Sequence, residues 1–300
     1  MQLSYTTTVP RQLVHKRAVS EVFLTDYRVV QGSADAKIAV QVPASHRGFR
    51  PTRERHDPLI AVEAFRQAVI LLCHTKFLVP QCFKFLMEQL SFEMLDALRV
   101  SPAPTPLVLD VTTAGLDSRD GTVSRVEVAG TLREGTRILA RFNAITRCVT
   151  PTCYSRMRGG RDSTLADRRT NPPGSVVIPA NCVGRAEEQD VVIAANVSAD
   201  ELFCAPDPRN HALFDHPLDH IPGMVMFDAA IQASRYRENN PTLQLTRLAA
   251  KFPLFTEWDS PCNLAVVAQS SSPKRGPFFV TFAQSGRTTA QFDISTESVC

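Results

Sequence analysis

Two stretches of the chain are apolar almost all the way round. LIAVEAFRQAVILLCHTKF follows Asp57-Pro58, and MVMFDAAIQASRY follows Pro222-Gly223. A helix with apolar residues on every face is surrounded by protein rather than laid on a surface. Asp57 can cap the first free amides, Pro58 suits the first helical position, and Pro80 sets the latest end of the first helix. After each helix the period changes to two. Ser124 to Cys148 alternates apolar and polar residues around Glu134-Gly135, and Asn263 to Gln269 and Pro277 to Phe292 do the same, with a turn at Ser285-Gly286. One long buried helix followed by antiparallel strands, given twice, predicts an α+β chain with an antiparallel sheet wrapped around a central helix in each half.

Between Arg156 and Gly174 the chain reads RMRGGRDSTLADRRTNPPG, without periodic apolar positions. This marks a solvated linker and predicts three parts: residues 1–155, a linker at 156–175, and residues 176–300. Sliding the first half onto the second by 165 residues superposes His46 on His211, Phe49 on Phe214, Ala64 on Ala229, Gln67 on Gln232 and Ala68 on Ala233. Glu63 falls on Asp228. The halves read as a duplication.

Composition narrows the class. With 44% hydrophobic and 21% charged residues in 300, the chain can fold without metal or disulfide staples and is too apolar to be disordered. A net charge of +3 is not the footprint of nucleic-acid binding. The eight cysteines form no C-x-x-C pair, and Met1 to Pro10 lacks a basic segment followed by an apolar one, so a cytoplasmic protein with reduced, buried thiols is expected. The longest apolar stretch, Ala68 to Cys73, is far short of the roughly 20 residues that span a bilayer. No metal or cofactor is implied.

Candidate chemistry sits on and just before the helices. Glu63, Arg66 and Gln67 are spaced i, i+3 and i+4 and share one face of an apolar cylinder. A buried carboxylate must be paired, hydrogen-bonded or protonated. Glu63 is therefore either locked to Arg66 or a general base of raised proton affinity opening on a polar cleft. Asp228 and Gln232 repeat the spacing, but Ile231 stands where Arg66 would be. No arginine is then expected to neutralise Asp228, although Arg235 could reach back or simply mark a solvated helix end. Asp228 reads as a group facing water, substrate or a histidine. Just upstream, His211, Asp215, His216, Asp219 and His220 crowd an irregular loop without metal-ligand spacing. His216 and His220 are acid–base candidates, and capping or hinge roles fit them equally. The Pro222-Gly223 helix start offers amides that can polarise a carbonyl.

The run FDHPLDHIPGMVMFDAAIQA resembles the hot-dog fold of acyl-thioester dehydratases and thioesterases. Together with VHKRAVSEVFLTD, RHDPLIAVEAFRQA, LVP and the duplication, the chain is similar to the A-factor biosynthesis (AfsA-type) family. The resemblance implies a tandem hot-dog acyltransferase that joins a β-ketoacyl group from an acyl carrier protein to dihydroxyacetone phosphate, on the route to γ-butyrolactone, butenolide or furan signals. It implies Glu63, Asp228 and His216 as catalytic residues, with Arg66, Gln67, Gln232, Arg235, His220 and Gly223 at the substrate. The second half departs from the family at Ile231, where an arginine is usual; Arg66 or Arg235 compensates, the acceptor differs, or activity is lost. Arg156, Arg158, Arg161, Arg168 and Arg169 read either as a surface for an acidic carrier or as a solvated loop. Two other readings stay open: a thioester dehydratase or thioesterase, and a non-catalytic carrier-binding protein.

Overall fold

The computed structural model of the chain describes residues 2–29, 32–52, 54–161, 172, 174–269 and 277–298. The chain forms two compact units, Met1–Gly160 and Arg161–Cys300.

The first unit contains strands β1 (Leu24–Val29) and β2 (Asp35–Gln41), helix α1 (Leu59–Thr75), strands β3 (Lys84–Met94), β4 (Pro106–Arg119), β5 (Thr122–Glu134) and β6 (Arg137–Val149), and helix α2 (Pro151–Arg158). Its strands pair antiparallel in the order β1-β2-β4-β5-β6-β3. Helix α1 starts where Asp57 Oδ1 accepts the Leu59 amide at 3.0 Å. It ends short of Pro80, where the Lys76 and Phe77 amides both return to Leu72 O. Every residue of α1 except Arg66 and Thr75 is buried. The helix packs on β1, β5 and β6. Its approach to the sheet depends on Gly130 of β5, because a Cβ there would lie 2.5 Å from Phe65 Cε2. Phe65 in turn stacks on Phe142 of β6 at 4.7 Å between ring centroids.

The second unit contains β7 (Val176–Val177), β8 (Ile193–Asn196), β9 (Glu201–Cys204), α3 (Gly223–Arg237), β10 (Leu243–Lys251), β11 (Cys262–Ala268), β12 (Pro277–Gln284) and β13 (Arg287–Ser298). Its antiparallel order is β7-β8-β9-β11-β12-β13-β10. With β8, β9, α3 and β10 to β13 matched to β1, β2, α1 and β3 to β6, the two sheets have one and the same strand order, and β7 is an added edge. Helix α3 packs on β8, β9 and β11. Its Phe227 meets Phe292 of β13, which meets Phe282 of β12, in an aromatic core.

The expected linker begins too early. Arg156 and Arg158 belong to the last turn of α2, whose start is capped by the Thr150 hydroxyl accepting from the Cys153 amide at 3.1 Å, and Arg158 is buried. Arg161 is ion-paired to Glu257 at 2.9 Å and Asp259 at 3.4 Å. Arg168 and Arg169 lie outside the described residues. Cys73, Cys148, Cys204 and Cys262 are buried free thiols, whereas Cys82 and Cys153 are exposed; Cys300 lies outside the described residues. No helix among the described residues is long and apolar enough to cross a membrane.

Candidate active site

The polar face of α1 closes over its own carboxylate. Glu63, 2% exposed, accepts from Arg66 Nε (2.7 Å), Arg66 Nη2 (2.9 Å) and Gln67 Nε2 (2.9 Å). Lys16 Nζ, delivered by the turn after the 3-10 helix Arg11–Val14, stands 3.0 Å from Glu63 Oε1. Burial alone would raise the Glu63 pKa. The charges of Arg66 and Lys16 and the hydrogen bonds from Arg66 and Gln67 outweigh it and hold the carboxyl well below the usual range. Of the two alternatives for Glu63, the pair with Arg66 is the one found, and the carboxyl is held ionised rather than raised in proton affinity. Gln67 also ties the helix to the segment before β1: its Nε2 donates to Glu21 O (2.8 Å) and its Oε1 accepts from the Phe23 amide (3.0 Å).

Helix α3 repeats this arrangement. Gln232 Nε2 donates to Asp228 Oδ2 and to Asp190 O, both at 3.0 Å, and its Oε1 accepts from the Val192 amide at 3.0 Å. Asp228 is 4% exposed and is bonded to the Arg185 guanidinium. The reading of Asp228 as an unneutralised group facing water is therefore corrected: its arginine comes from upstream rather than from the helix. Arg235 is also misread as a solvated end. It is buried, donating from Nε to Leu243 O (2.8 Å) and from Nη1 to Val183 O (3.1 Å).

Lys16 and Arg185 are the site residues that sequence reasoning missed. Lys16, Glu21 and Phe23 recur 169 residues later as Arg185, Asp190 and Val192. Each cation follows a 3-10 helix closed by a left-handed residue, His15 or Gly184. Their signal is the repeated Val9-Pro10…Val14-x-Lys16 and Ile178-Pro179…Val183-x-Arg185. A further layer also recurs. His46 Nε2 lies 3.2 Å from Glu21 Oε2 while its Nδ1 accepts from the Gly48 amide at 3.1 Å. Asn210 Nδ2 donates to Asp190 Oδ1 at 2.9 Å while its Oδ1 accepts from the Ala212 amide at 3.0 Å. The counterpart of His46 is thus Asn210, not His211, which is exposed.

Acid–base geometry lies in the loop before α3. His216 Nδ1 is 3.1 Å from Asp215 Oδ2, so the carboxylate beside this histidine is its chain neighbour. An ionised carboxylate only accepts, which puts the proton on Nδ1 and leaves a lone pair on Nε2. His220 Nδ1 is likewise 2.7 Å from Asp219 Oδ1, and its ring meets Phe255 edge-on. The loop is held by Trp258 Nε1 donating to Leu218 O (3.0 Å) and by the Ile221 amide on Thr256 O (2.8 Å). Helix α3 has no side-chain cap, and its backbone bonding starts at Val225. Among the described residues no group accepts from the Gly223 and Met224 amides, whereas Asp57 closes the start of α1. A shallow recess in the first unit is lined by His56, Val42, Leu98 and Arg99 among others, and Glu63 does not line it. Burial lowers the His56 pKa and keeps its ring neutral.

The two units thus share one strand order and a matching carboxylate cradle on each helix. The sequence profile of the A-factor biosynthesis hotdog domain matches residues 2–150 and again residues 166–299. The chain belongs to this family. Within the A-factor biosynthesis hotdog family it is similar to a 2-oxo-3-(phosphooxy)propyl 3-oxoalkanoate synthase of Streptomyces virginiae, at 35% identity over 86% of this chain and 86% of the relative. It is also similar to a protein of the same name from Streptomyces coelicolor, at 32% identity over 85% of this chain and 80% of the relative. Among solved structures, an acyl-ACP thioesterase from Bacteroides thetaiotaomicron aligns with a TM-score of 0.53 and 7% identity over 87% of this chain and 98% of the other. That likeness concerns the fold alone, a tandem hot-dog.

Proposed function

We propose that this protein is a cytoplasmic acyltransferase that moves a β-ketoacyl group from an acyl carrier protein thioester to dihydroxyacetone phosphate, without metal or cofactor. The observation that carries the reading is the similarity, over most of both chains, to synthases whose name describes that phosphorylated ester. In the proposed mechanism His216 Nε2, its ring oriented by Asp215, removes the proton of the acceptor hydroxyl. The new alkoxide attacks the thioester carbonyl, whose oxygen gathers charge against the open Gly223 and Met224 amides. The C–S bond then breaks, the ester forms, and the departing thiolate recovers the proton from His216. His220 borders the same helix start and is assigned to the substrate.

Glu63 and Asp228 enter this scheme as positioning residues rather than bases. Each is ionised in its cradle or bonded to a cation, and each is aligned by the glutamine one turn on. Gln67 and Gln232 align the carboxylate of their own helix, Arg66 holds Glu63, and Arg235 ties its helix to Leu243 and Val183. The test mixes purified protein, a β-ketoacyl carrier thioester and dihydroxyacetone phosphate and follows the products by mass spectrometry. The phosphorylated ester is expected. Free β-keto acid with no ester would make the protein a thioesterase, and loss of water from the acyl group a dehydratase. Binding of the acyl carrier with no product at all would leave a non-catalytic carrier-binding protein.

A further inference from the structure

The segment between β10 and β11 braces the loop that carries the two histidine–aspartate pairs, and it does so with side chains. Trp258, which is buried, donates from Nε1 to the carbonyl of Leu218, two residues after His216 and two before His220. Its ring also meets Phe214, the residue before Asp215, at 5.6 Å between centroids. The Asp215–His216 pair is thus held on either side by one indole. Trp258 is fixed in turn by Gln284, the buried last residue of β12. Gln284 Oε1 accepts from the Glu257 amide at 2.7 Å, while Nε2 donates to Glu257 O at 2.9 Å and to Ser260 O at 2.8 Å. Both N–H donors of this amide are used, so the backbone on each side of Trp258 is tied to the sheet.

The duplication supplies an internal control. In the first unit the segment after β3 meets the loop before α1 through backbone bonds, from the His56 amide to Leu98 O (2.9 Å) and from the Val100 amide to Glu54 O (2.8 Å). Leu98 O corresponds to Thr256 O, which accepts from the Ile221 amide, so Val100 stands in the place of Trp258. Glu134 ends β5 as Gln284 ends β12, but it pairs with Arg137 across its own hairpin. The strand order is the same in both units, so this fold forms without the indole and the amide. Among the described residues the loop before α1 also holds no histidine paired with an aspartate. Brace and pairs occur together. We infer that Trp258 and Gln284 are positioning residues for the transfer reaction, setting the loop so that His216 Nε2 meets the acceptor hydroxyl. The inference rests on the reading of His216 as the base; the brace itself lies wholly within the second unit.

The test compares wild type with Trp258→Phe, which keeps an aromatic ring against Phe214 and removes the N–H donor, and with Gln284→Ala, which releases Glu257 and Ser260. A β-ketoacyl N-acetylcysteamine thioester and dihydroxyacetone phosphate are the substrates. Each variant is expected to lower kcat about 10- to 100-fold, the cost of a misplaced reacting group, with both KM values within about threefold of wild type. Amide hydrogen exchange followed by mass spectrometry supplies a readout free of turnover. The peptide spanning residues 213–221 is expected to exchange about 5- to 10-fold faster in both variants, with α3 and β13 unchanged. An unchanged kcat in an otherwise active protein would overturn the inference. So would a loss of kcat accompanied by faster exchange throughout the second unit, because both residues would then serve the fold alone. A rise in KM with kcat kept would make the loop a substrate contact and overturn it as well. If wild type forms no ester but releases thiol from the thioester, and that release falls in both variants, the transferase reading fails and the positioning role stands. With no turnover of any kind in wild type, His216 has no chemistry to support and the inference falls with it.

Discussion

Replacing Glu63 by glutamine keeps the shape of the cradle and removes the carboxylate that Lys16 and Arg66 share. Truncating one member of a fully buried ion pair costs about 3–5 kcal/mol. Here the cations are 13% and 25% exposed and can turn partly to water, so about 2–3 kcal/mol is expected at pH 7. Arg66→Gln leaves the carboxylate with Lys16 and Gln67 and is expected to cost about 1 kcal/mol. The pH dependence separates this account from a simple packing loss. The Glu63 pKa is depressed in the folded state, so its stabilisation is complete above the unfolded value of about 4.3 and is lost as pH falls below it. By pH 3.5 wild type is expected to have lost about 1 kcal/mol from this one group, and the gap to Glu63→Gln narrows by that amount. Urea denaturation followed by far-ultraviolet circular dichroism at both pH values measures it. A Glu63→Gln variant within about 0.5 kcal/mol of wild type at neutral pH, or a gap that widens on acidification, would refute the reasoning.

Three further outcomes are expected. Gly184→Ala places a Cβ 2.4 Å from Pro241 O at a φ of +67°; it should cost about 2–4 kcal/mol, read by the fluorescence of the single tryptophan, Trp258, which is buried in the same unit. Gly130→Ala drives a methyl group into the Phe65 ring and should cost about 1–3 kcal/mol, visible as a lower thermal midpoint; an unchanged midpoint would mean that α1 has room to lift from β5. Asp215→Asn should keep the fold but lower kcat about 10- to 100-fold, since the His216 ring loses the carboxylate that orients it. An unchanged kcat would remove His216 from the chemistry.

The helices, the hairpins at Gly135 and Gly286 and the duplication were legible because each follows from periodicity and turn chemistry that act locally. Glu63, Gln67, Asp228 and Gln232 stood out for a similar reason, as polar residues on helices otherwise apolar. What pairs with them was less legible. Lys16 and Arg185 lie some 45 residues upstream of their carboxylates, and a gapless superposition at 165 residues misses a correspondence that runs at 169 before the first hairpin of each unit. Between hairpin and helix the correspondence runs at 164, which is why the 165-residue superposition sets His46 against His211 instead of Asn210. Arg235 is misread because arginine near a helix end usually reaches water, whereas here backbone carbonyls of neighbouring segments take it up.

That shift of register falls in the hairpins β1–β2 and β8–β9, which span Leu24–Gln41 and Ile193–Cys204. Each hairpin leaves directly from residues bolted to the helix glutamine, and the chain beyond it comes back to the same place through His46 or Asn210. An arch footed on both sides can grow or shrink without disturbing its piers. The tip at Val197, 74% exposed, is therefore where this protein would best tolerate an inserted epitope or fluorophore.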